Sequence, residues 1–335
     1  MAEKFSRWRD PATGVAPFLV PLPAGTDALP PALRLVTVPV AALVAAVRSL
    51  FVILLLLAQT VLVEGLLVVF SPLPPVHAAL TRACNASIAR LVLAVLGVVY
   101  ITVDTVQLRK TGRSPPTVPF DPRKGDLIIA NSSSPLDLLY LAFRYNATFL
   151  LPVASSSRIA GWRRVTLLSA ILASGQLPQS GTNAESLDEA VKKAAGPVVV
   201  FPEATTSNNR ALLKFAELAV PAGSKTSPLR TFVLAFKYPA PTLLAPSLAY
   251  PIPSPSPLPG LLTHLYTLTS RLTPYTFSVR RLHPSEAPKM STAPRKQEWD
   301  AVADTLAATA RLKKVGGLGW VEKSAFLEFR RLKGR

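Results

Sequence analysis

The sequence predicts a layered α/β domain that is preceded by a hydrophobic membrane helix or hairpin. The first observation is an apolar stretch of 36 residues, 35–70, whose only ionisable residues are Arg48 and Glu64. The second is the alternation, between residues 126 and 313, of short apolar runs with segments of helical periodicity. The third is composition, because 49% of the 335 residues are hydrophobic and only 17% are charged, against about a quarter in soluble domains.

The net charge indicates the kind of partner. With 37 Lys and Arg residues against 19 Asp and Glu residues, the formal net charge is +18, which favours an anionic polymer or surface. The high hydrophobicity favours an anionic membrane surface. No basic motif with interleaved aromatic residues is visible, so we expect no nucleic-acid partner. A single cysteine, Cys84, excludes an internal disulfide and is typical of a cytosol-facing protein.

The chain divides into four predicted parts. Residues 1–34 are proline-rich and lack the apolar region of a secretory signal, so we expect a flexible tail. Residues 35–75 form the membrane segment, residues 87–313 the α/β domain and residues 314–335 a basic extension. From residue 311 onwards there are eight basic and two acidic side chains, which suits the anionic cytosolic leaflet. A solvated tail without function has the same composition.

The membrane segment allows a hairpin or a single span. Its most apolar part, 49–70, has 22 residues, enough at about 1.5 Å per residue to cross a hydrocarbon core of about 30 Å. Basic residues on both flanks favour a hairpin whose two ends are cytosolic, and one crossing helix is the alternative. Arg48 is tolerable only near an interface. A buried core helix is the remaining interpretation.

The predicted elements of the domain alternate along the chain. Helical spacing indicates helices over 87–96, 136–143, 159–172, 186–195 and 298–313. Apolar or alternating runs indicate strands over 98–106, 126–130, 147–153, 197–201, 231–237 and 275–282. Between residues 239 and 259 there are eight prolines, which exclude a regular element and predict a surface loop, a proline-rich docking ligand being the alternative.

A first polar cluster, Asn131-Ser-Ser-Ser-Pro-Leu-Asp137, follows the strand that ends at Ala130. Polar side chains at this end of a strand favour an active site. The same residues also make a good helix start, with Ser134 as N-cap, a proline next and Asp137 at the third helical position. The residues alone leave both interpretations open.

A second polar cluster runs from Phe201 through Glu203 to Lys214, after the buried strand of three valines. A simple polar turn is the alternative to a binding site here. Carboxyl ends of parallel strands meet at one edge of a sheet, so we expect Glu203 and Lys214 to line a pocket for an anionic group, with Asn131, Ser132 and Asp137 facing them.

Together the two clusters resemble the glycerophospholipid acyltransferase family, in which an Asn-His-x-x-x-x-Asp motif precedes a Phe-Pro-Glu-Gly-Thr motif. Here Asn131 and Phe201 are 70 residues apart. The segments 159–162 and 175–178 resemble the family's second block, 232–238 its fourth block and 277–282 its closing strand. The resemblance covers roughly 90–313 and is greatest to fungal lysophosphatidic acid acyltransferases of lipid droplets, where a hydrophobic hairpin precedes the domain.

The chain departs from the family pattern at important positions. Ser132 replaces the catalytic His, Ala204 replaces Gly, and Thr206 stands where many members have a phosphate-binding Arg. The second-block Arg is lost near Gln179. In the family the His removes a proton from a lysolipid hydroxyl, which then attacks an acyl-CoA thioester, while Asp orients the His. A serine hydroxyl cannot accept a proton at neutral pH, so another group must do so or no acylation occurs.

The resemblance implies an acyltransferase-like domain that makes phosphatidic acid from lysophosphatidic acid at the endoplasmic reticulum or lipid droplets, facing the cytosol. Acyl-CoA is then a co-substrate, with no bound cofactor and no metal. Asp137 and Ser132 occupy the catalytic positions. The expected substrate-binding residues are Asn131, Glu203, Thr205, Asn208 and Lys214.

Three groups are candidate proton acceptors: Asp137, His283 folded into the cleft, and the phosphate of the substrate, whose second pKa is about 6. The rival interpretation is a catalytically silent protein that keeps the acyltransferase fold to bind lipid or a partner.

Overall fold

The computed structural model describes residues 3–23, 30–109, 118–181, 183–219, 226–242, 245–253 and 257–333. Its α-helices are α1 Pro31–Gln59, α2 Pro74–Val95, α3 Pro135–Tyr145, α4 Leu167–Leu172, α5 Leu187–Lys193, α6 Pro257–Thr269, α7 Lys296–Ala310 and α8 Trp320–Lys333. Its strands are β1 Val98–Val106, β2 Leu127–Ala130, β3 Thr148–Ser155, β4 Arg158–Val165, β5 Gln179–Ser180, β6 Val198–Val200, β7 Ala211–Leu212, β8 Pro228–Leu229, β9 Thr231–Lys237, β10 Tyr275–Leu282, β11 Met290–Ser291 and β12 Lys313–Lys314.

An eight-stranded sheet forms the centre of the domain, in the order β1-β10-β9-β2-β6-β3-β4, with β5 paired to β3. The four strands β9, β2, β6 and β3 are parallel to one another, whereas β4 and β10 run antiparallel to their inner neighbours. The carboxyl ends of β2, β6 and β3 therefore lie along one edge of the sheet. This edge carries both polar clusters.

Strand periodicity sorts the sheet residues into two cores. Ile128 and Val199 point to the side that is covered by α2, α3 and α4. Leu127 and Val198, one residue earlier in each strand, point to the side covered by α5 and α7. Both faces of the central strands are buried, which explains their uninterrupted apolar sequence and confirms the predicted layered α/β class.

Most predicted elements are present, and the bounds of β1, β9 and β10 coincide with the prediction. The predicted helix over 159–172 is wrong. Residues 158–165 instead form β4, which pairs antiparallel with β3 across a tight turn, and only Leu167–Leu172 is helical. Ser156, with φ of 55°, reverses the chain there. Helix α6 begins at Pro257, inside the predicted proline-rich loop, part of which (243–244 and 254–256) lies outside the described residues.

The N-terminal segment, expected to be a flexible tail, packs against the basic C-terminal extension instead. Trp8 and Phe18, from the N-terminal segment, are buried on Phe326 of α8, with ring centroids 5.6 Å apart in both pairs. A basic amphipathic helix, α8, thus occupies most of the predicted extension. The aromatic rings of the two segments form a small buried cluster, which their largely polar composition did not predict.

The predicted membrane segment, 35–75, does not fold back on itself within those bounds, because residues 35–70 belong to one continuous helix that is the first arm of a longer helical hairpin. Helix α1 continues through a π-helical turn, Thr60–Gly65, and a 3-10 turn, Leu66–Phe70, into a helix of 39 residues, Ala32–Phe70. After a short turn, α2 returns along it for 22 residues. Both helices are apolar and long enough to cross a membrane, and they are mostly exposed on this protein, which is unlike a core helix. Val52 of α1 and the last turns of α2, from Ile88, enter the core.

Arg48 attaches the base of the hairpin to the domain. Its guanidinium donates to the carbonyl oxygens of Arg271 at 2.6 Å and Thr269 at 3.3 Å, at the carboxyl end of α6. A cation is favourable at this end of a helix. Because the N-terminal segment packs on α8 as well, both ends of the hairpin lie on the same side of any membrane that it enters.

We predict that the full chain resists extraction by alkaline carbonate, and that protease added outside sealed vesicles cleaves near both termini. Val61 is exposed near the middle of the apolar part 49–70, and Val61→Asp should release a large fraction of the protein, because a carboxylate at the bilayer centre costs about 2.5–3.5 kcal/mol. Thr37→Asp, near the start of α1, is the matched control. Full extraction of the unmodified chain would show that the hairpin is not inserted.

Candidate active site

A cavity of about 290 Å³ opens at the carboxyl edge of the sheet. Ser132, which follows β2, and the turn Ala204–Thr206, which follows β6, form one wall. Residues 149–153 of β3, Ala170 and residues 173–181 line most of the rest, and the other lining residues are Leu138, Arg163, Asn183 and Phe201. Ala204 has φ of 54°, a region that favours glycine and accounts for the Gly at this motif position in the family. The structure therefore brings the two predicted polar clusters together at one cavity.

Glu203 joins the two clusters from behind the cavity wall. Its Oε1 accepts the Ser132 N–H at 3.0 Å and its Oε2 accepts the Leu213 N–H at 3.0 Å. The side chain is fully buried. Burial raises the pKa of the Glu203 carboxyl to about 8, against the two backbone hydrogen bonds, which lower it. Glu203 was predicted to line the pocket, but its carboxyl group is used to hold the loops that line it.

Asp137 is also buried and does not reach the cavity. Its carboxyl group accepts the N–H groups of Ser133 at 2.8 Å and Ser134 at 3.0 Å, and the hydroxyl of Tyr238. Burial raises the pKa of Asp137 to about 7, against these hydrogen bonds. With Ser134 it forms the capping box of α3. The helix-start interpretation is thus correct, and Asp137 acts on Ser132 only by fixing the adjoining turn.

Two asparagine side chains tie the same loops to β9. Asn131 donates to the Phe236 carbonyl at 3.1 Å and accepts the Phe236 N–H at 2.8 Å. Asn209 donates to Ser133 Oγ at 2.9 Å and accepts the Tyr238 N–H at 2.9 Å. Asn131, predicted to bind substrate, therefore satisfies backbone groups at the end of β9.

Two other predicted substrate-binding residues lie outside the cavity. Asn208 donates to the carbonyl oxygens of Ala16 at 2.9 Å and Leu19 at 3.0 Å, and so holds the N-terminal segment. Lys214 pairs with Glu217 at 3.1 Å and its side chain is about half exposed. The predicted pocket role of Lys214 is wrong, because the chain enters β7 before it and turns its side chain away from Glu203.

A basic side chain lies directly behind the cavity wall, Lys323 of α8, which the sequence analysis missed. Its Nζ lies 2.8 Å from Thr205 Oγ1 and 2.7 Å from the Thr206 carbonyl oxygen, and the side chain is fully buried. Burial lowers the pKa of the Lys323 ammonium to about 7. A signal was present, because Lys323 lies on the apolar stripe of α8 between Trp320 and Phe326 at helical spacing.

No histidine lines the cavity within the described part of the chain. His283 follows β10, which runs antiparallel to β9, and it lies at the opposite edge of the sheet, hydrogen-bonded to Ser285. His264 is buried on α6 and stacked on Tyr250, with ring centroids 4.5 Å apart. Burial lowers the pKa of His264 to about 3. The hypothesis that His283 folds into the cleft is therefore wrong.

Arg163 of β4 brings a positive charge to the cavity wall. It is exposed, and no hydrogen bond or ion pair joins its guanidinium to another described residue. Across the described ranges, no group of three His, Cys, Asp or Glu side chains is placed to hold a metal ion. The described lining thus combines apolar side chains with one guanidinium and several hydroxyl and amide residues, Ser132 and Thr205 among them.

These features define a cavity at the carboxyl edge of an α/β sheet, and comparison with known proteins gives the family. No family model matches the sequence. A protein of Schizosaccharomyces pombe described as "Putative lysophosphatidic acid:oleoyl-CoA acyltransferase" is 30% identical over 256 residues, which cover 75% of this chain and 77% of that protein. The chain therefore belongs to the glycerophospholipid acyltransferase family, as the two motifs predicted.

A solved structure is also similar to this chain. It is the 1-acyl-sn-glycerophosphate acyltransferase PlsC of Thermotoga maritima, with a TM-score of 0.40 and 15% sequence identity, over 79% of this chain and 96% of that one.

We predict that Asp137→Ala lowers the free energy of unfolding by about 2–3 kcal/mol, because two buried N–H groups and a hydroxyl lose their acceptor. Asp188→Ala is the matched control, since Asp188 also lies in the first turn of a helix but pairs only with the exposed Lys192. That change should cost less than about 1 kcal/mol. Thermal unfolding at neutral pH measures both, and equal small losses would contradict the structural role of Asp137.

Proposed function

We propose that the protein is a membrane-bound, acyl-CoA-dependent O-acyltransferase that converts lysophosphatidic acid to phosphatidic acid. The observation that carries the proposal is the 3.0 Å hydrogen bond from the Ser132 N–H to Glu203, which holds both family motifs at one cavity. The relationship to the fission-yeast protein supports the acyl donor and acceptor. Ser132 and the cavity wall would position the reactants.

In the proposed reaction, the lysolipid hydroxyl oxygen attacks the thioester carbonyl carbon. A C–O bond forms, the C–S bond breaks, the hydroxyl proton leaves, and the CoA thiolate takes up a proton. Holding the two reactants together accounts for a large part of such catalysis, so turnover does not require the motif histidine. No bound cofactor is needed, since the acyl group arrives on CoA.

Arg163 is the proposed site for the phosphate of the acceptor. The two arginine positions of the family hold Gln179 and Thr206 here, so the charge must come from elsewhere on the cavity wall. Arginine binds phosphate with two parallel hydrogen bonds, and Arg163 has no competing partner among the described residues. This assignment favours a phosphomonoester headgroup.

The proposed location is the cytosolic face of the endoplasmic reticulum or lipid droplets. The exposed apolar hairpin suits a bilayer or a monolayer, and both of its ends return to the side of the domain. The net charge of +18 suits an anionic lipid surface. An enzyme whose substrate is a membrane lipid works where that lipid is.

A second candidate function is lipid binding without catalysis. It is favoured by the histidine-free lining of the described cavity and by the complete burial of Asp137. In this case the cavity would hold a lysolipid or its headgroup at the membrane. Acyl transfer and specific binding are separable by experiment.

We expect weak, acceptor-restricted turnover when the purified full chain in vesicles receives labelled oleoyl-CoA and lysophosphatidic acid. Ser132→His should raise the rate at least about tenfold, because general-base assistance contributes about 10²- to 10⁴-fold. Ser174→His places the same ring elsewhere on the cavity wall and should not. Saturable lipid binding without turnover for any lysolipid would establish the second candidate.

We expect Arg163→Gln to raise KM for lysophosphatidic acid by about 10- to 100-fold, since a hydrogen bond to a charged group contributes about 1.5–3 kcal/mol. Monoacylglycerol, which lacks the phosphate, should show no such change. Arg158→Gln alters the same strand outside the cavity, where Arg158 pairs with the exposed Glu217, and is the matched control. An unchanged KM in the Arg163 variant would place the phosphate elsewhere.

A further inference from the structure

Lys323 is a buried amine without a carboxylate partner. It is fully buried on α8, and among the described residues no acidic group forms an ion pair with it. Glu203 acts on it only at longer range. Buried lysines usually pair with a carboxylate, because an isolated ammonium is costly in a protein interior. Its surroundings therefore suit the neutral amine.

The hydrogen bonds of Nζ suit both the ammonium and the neutral amine, so this group can gain and lose a proton in place. Thr206 Oγ1 donates to the Tyr250 carbonyl at 2.5 Å, so it can only accept from Lys323, at 3.4 Å. The Thr206 carbonyl oxygen, at 2.7 Å, is also an acceptor. These two partners use both N–H groups of a neutral amine. The third partner is Thr205 Oγ1 at 2.8 Å, which accepts from the ammonium and can donate to the lone pair once the amine is neutral.

Thr205 connects this amine to the cavity. It lines the cavity wall on the same side as Ser132, the residue at the position of the missing histidine. A hydroxyl that donates to an amine behind it can accept a proton from a molecule in front of it. The pair therefore has the layout of a nucleophile or relay hydroxyl with an adjacent base.

Resting on the proposed acyltransferase function, we propose that Lys323, acting through the Thr205 hydroxyl, accepts the proton of the acyl acceptor in place of the family histidine. As the acceptor oxygen attacks the thioester, its proton passes to Thr205 Oγ1, and the Thr205 proton passes to Nζ. The C–S bond then breaks. The ammonium returns a proton through Thr205 to the CoA thiolate, which leaves the enzyme unchanged and balances the reaction.

Few other charges act on this amine. Glu203 and, behind it, Asp137 are the acidic groups of the loops packed against Lys323. In the N-terminal segment, Asp10 binds its own Thr13. On α8 itself, Glu322 accepts the Gly319 N–H, away from Nζ. Burial lowers the pKa of Lys323 to about 7, so a useful fraction is neutral at physiological pH.

The test compares Lys323→Met and Thr205→Val with the unmodified chain in vesicles, between pH 6 and 9. Each variant should lose about 10²- to 10³-fold in kcat, with lysophosphatidic acid binding unchanged within about twofold. The double variant should be no worse than either single one, because the two residues act as a unit. Thr205→Ser keeps the hydroxyl and should retain most activity.

The pH profile separates a proton acceptor from a structural lysine. In the unmodified chain kcat should rise with pH, with an apparent pKa near 7. Lys323→Met should abolish this rise, whereas loss of a structural residue would lower kcat by the same factor at every pH. Arg331→Met, which removes an exposed cation from the same helix, should leave the rise intact. Thermal unfolding verifies that each variant is folded. If Lys323→Met fails to fold, the pH profile of Thr205→Val decides, because losing the relay removes the rise of kcat near pH 7 whereas losing an acceptor contact only raises KM.

Four results would overturn the proposal. If the rise of kcat with pH persists in Lys323→Met, the lysine is structural. If only acceptors with a phosphomonoester react, and Thr205→Val reacts normally with them, the substrate phosphate is the proton acceptor. If Thr205→Val loses activity but Lys323→Met does not, Thr205 merely binds the acceptor. If the unmodified chain shows no turnover at any pH, the acyltransferase function fails and the proton acceptor with it, whereas the first three results leave that function standing.

Discussion

The hydrogen bonds of the Glu203 carboxyl group are the interactions on which the site depends. Two adjacent parallel strands end at the same edge, and the loops that follow them carry N–H groups that no strand can satisfy. Glu203, which follows β6, accepts one such group from Ser132 after β2 and another from Leu213 in its own loop. Because the carboxyl group is buried, losing it would leave two N–H groups unpaired and release the cavity wall. The glutamate of the second motif therefore has a structural role, which is to hold the two loops of the cavity wall together.

The remainder of the site follows the same rule of satisfying buried polar groups. Both ends of the chain take part, although the motifs lie in its middle. The N-terminal segment supplies carbonyl oxygens to Asn208, and α8 supplies the amine of Lys323 to Thr205. Aromatic packing of Phe18 on Phe326 holds these two segments together. A cavity without a histidine in its described lining thus still has a titratable group directly behind its wall.

Sequence reasoning succeeded where the signal was local. Strands β1, β9 and β10 were predicted with their observed bounds because period-two alternation and apolar runs report burial directly. It failed over 159–172, because β4 forms there by pairing with β3, and the periodicity of one segment does not show which other segment it pairs with. It also chose Lys214 as the cation because that residue is near Glu203 along the chain, whereas the residue near it in space is Lys323.

The sequence by itself determined the layered α/β class, the long apolar segment, the family motifs and the absence of histidine from them, since each is a matter of residue type and spacing. Only the tertiary structure decided which polar residues face the cavity and which lie behind it. Asn131, Asp137 and Glu203 are the residue types of an active site, yet all three are occupied by backbone groups of neighbouring segments. Hydrogen bonds between segments far apart in the chain cannot be read from local composition. They decided which polar side chains remain available to contact a substrate in the cavity.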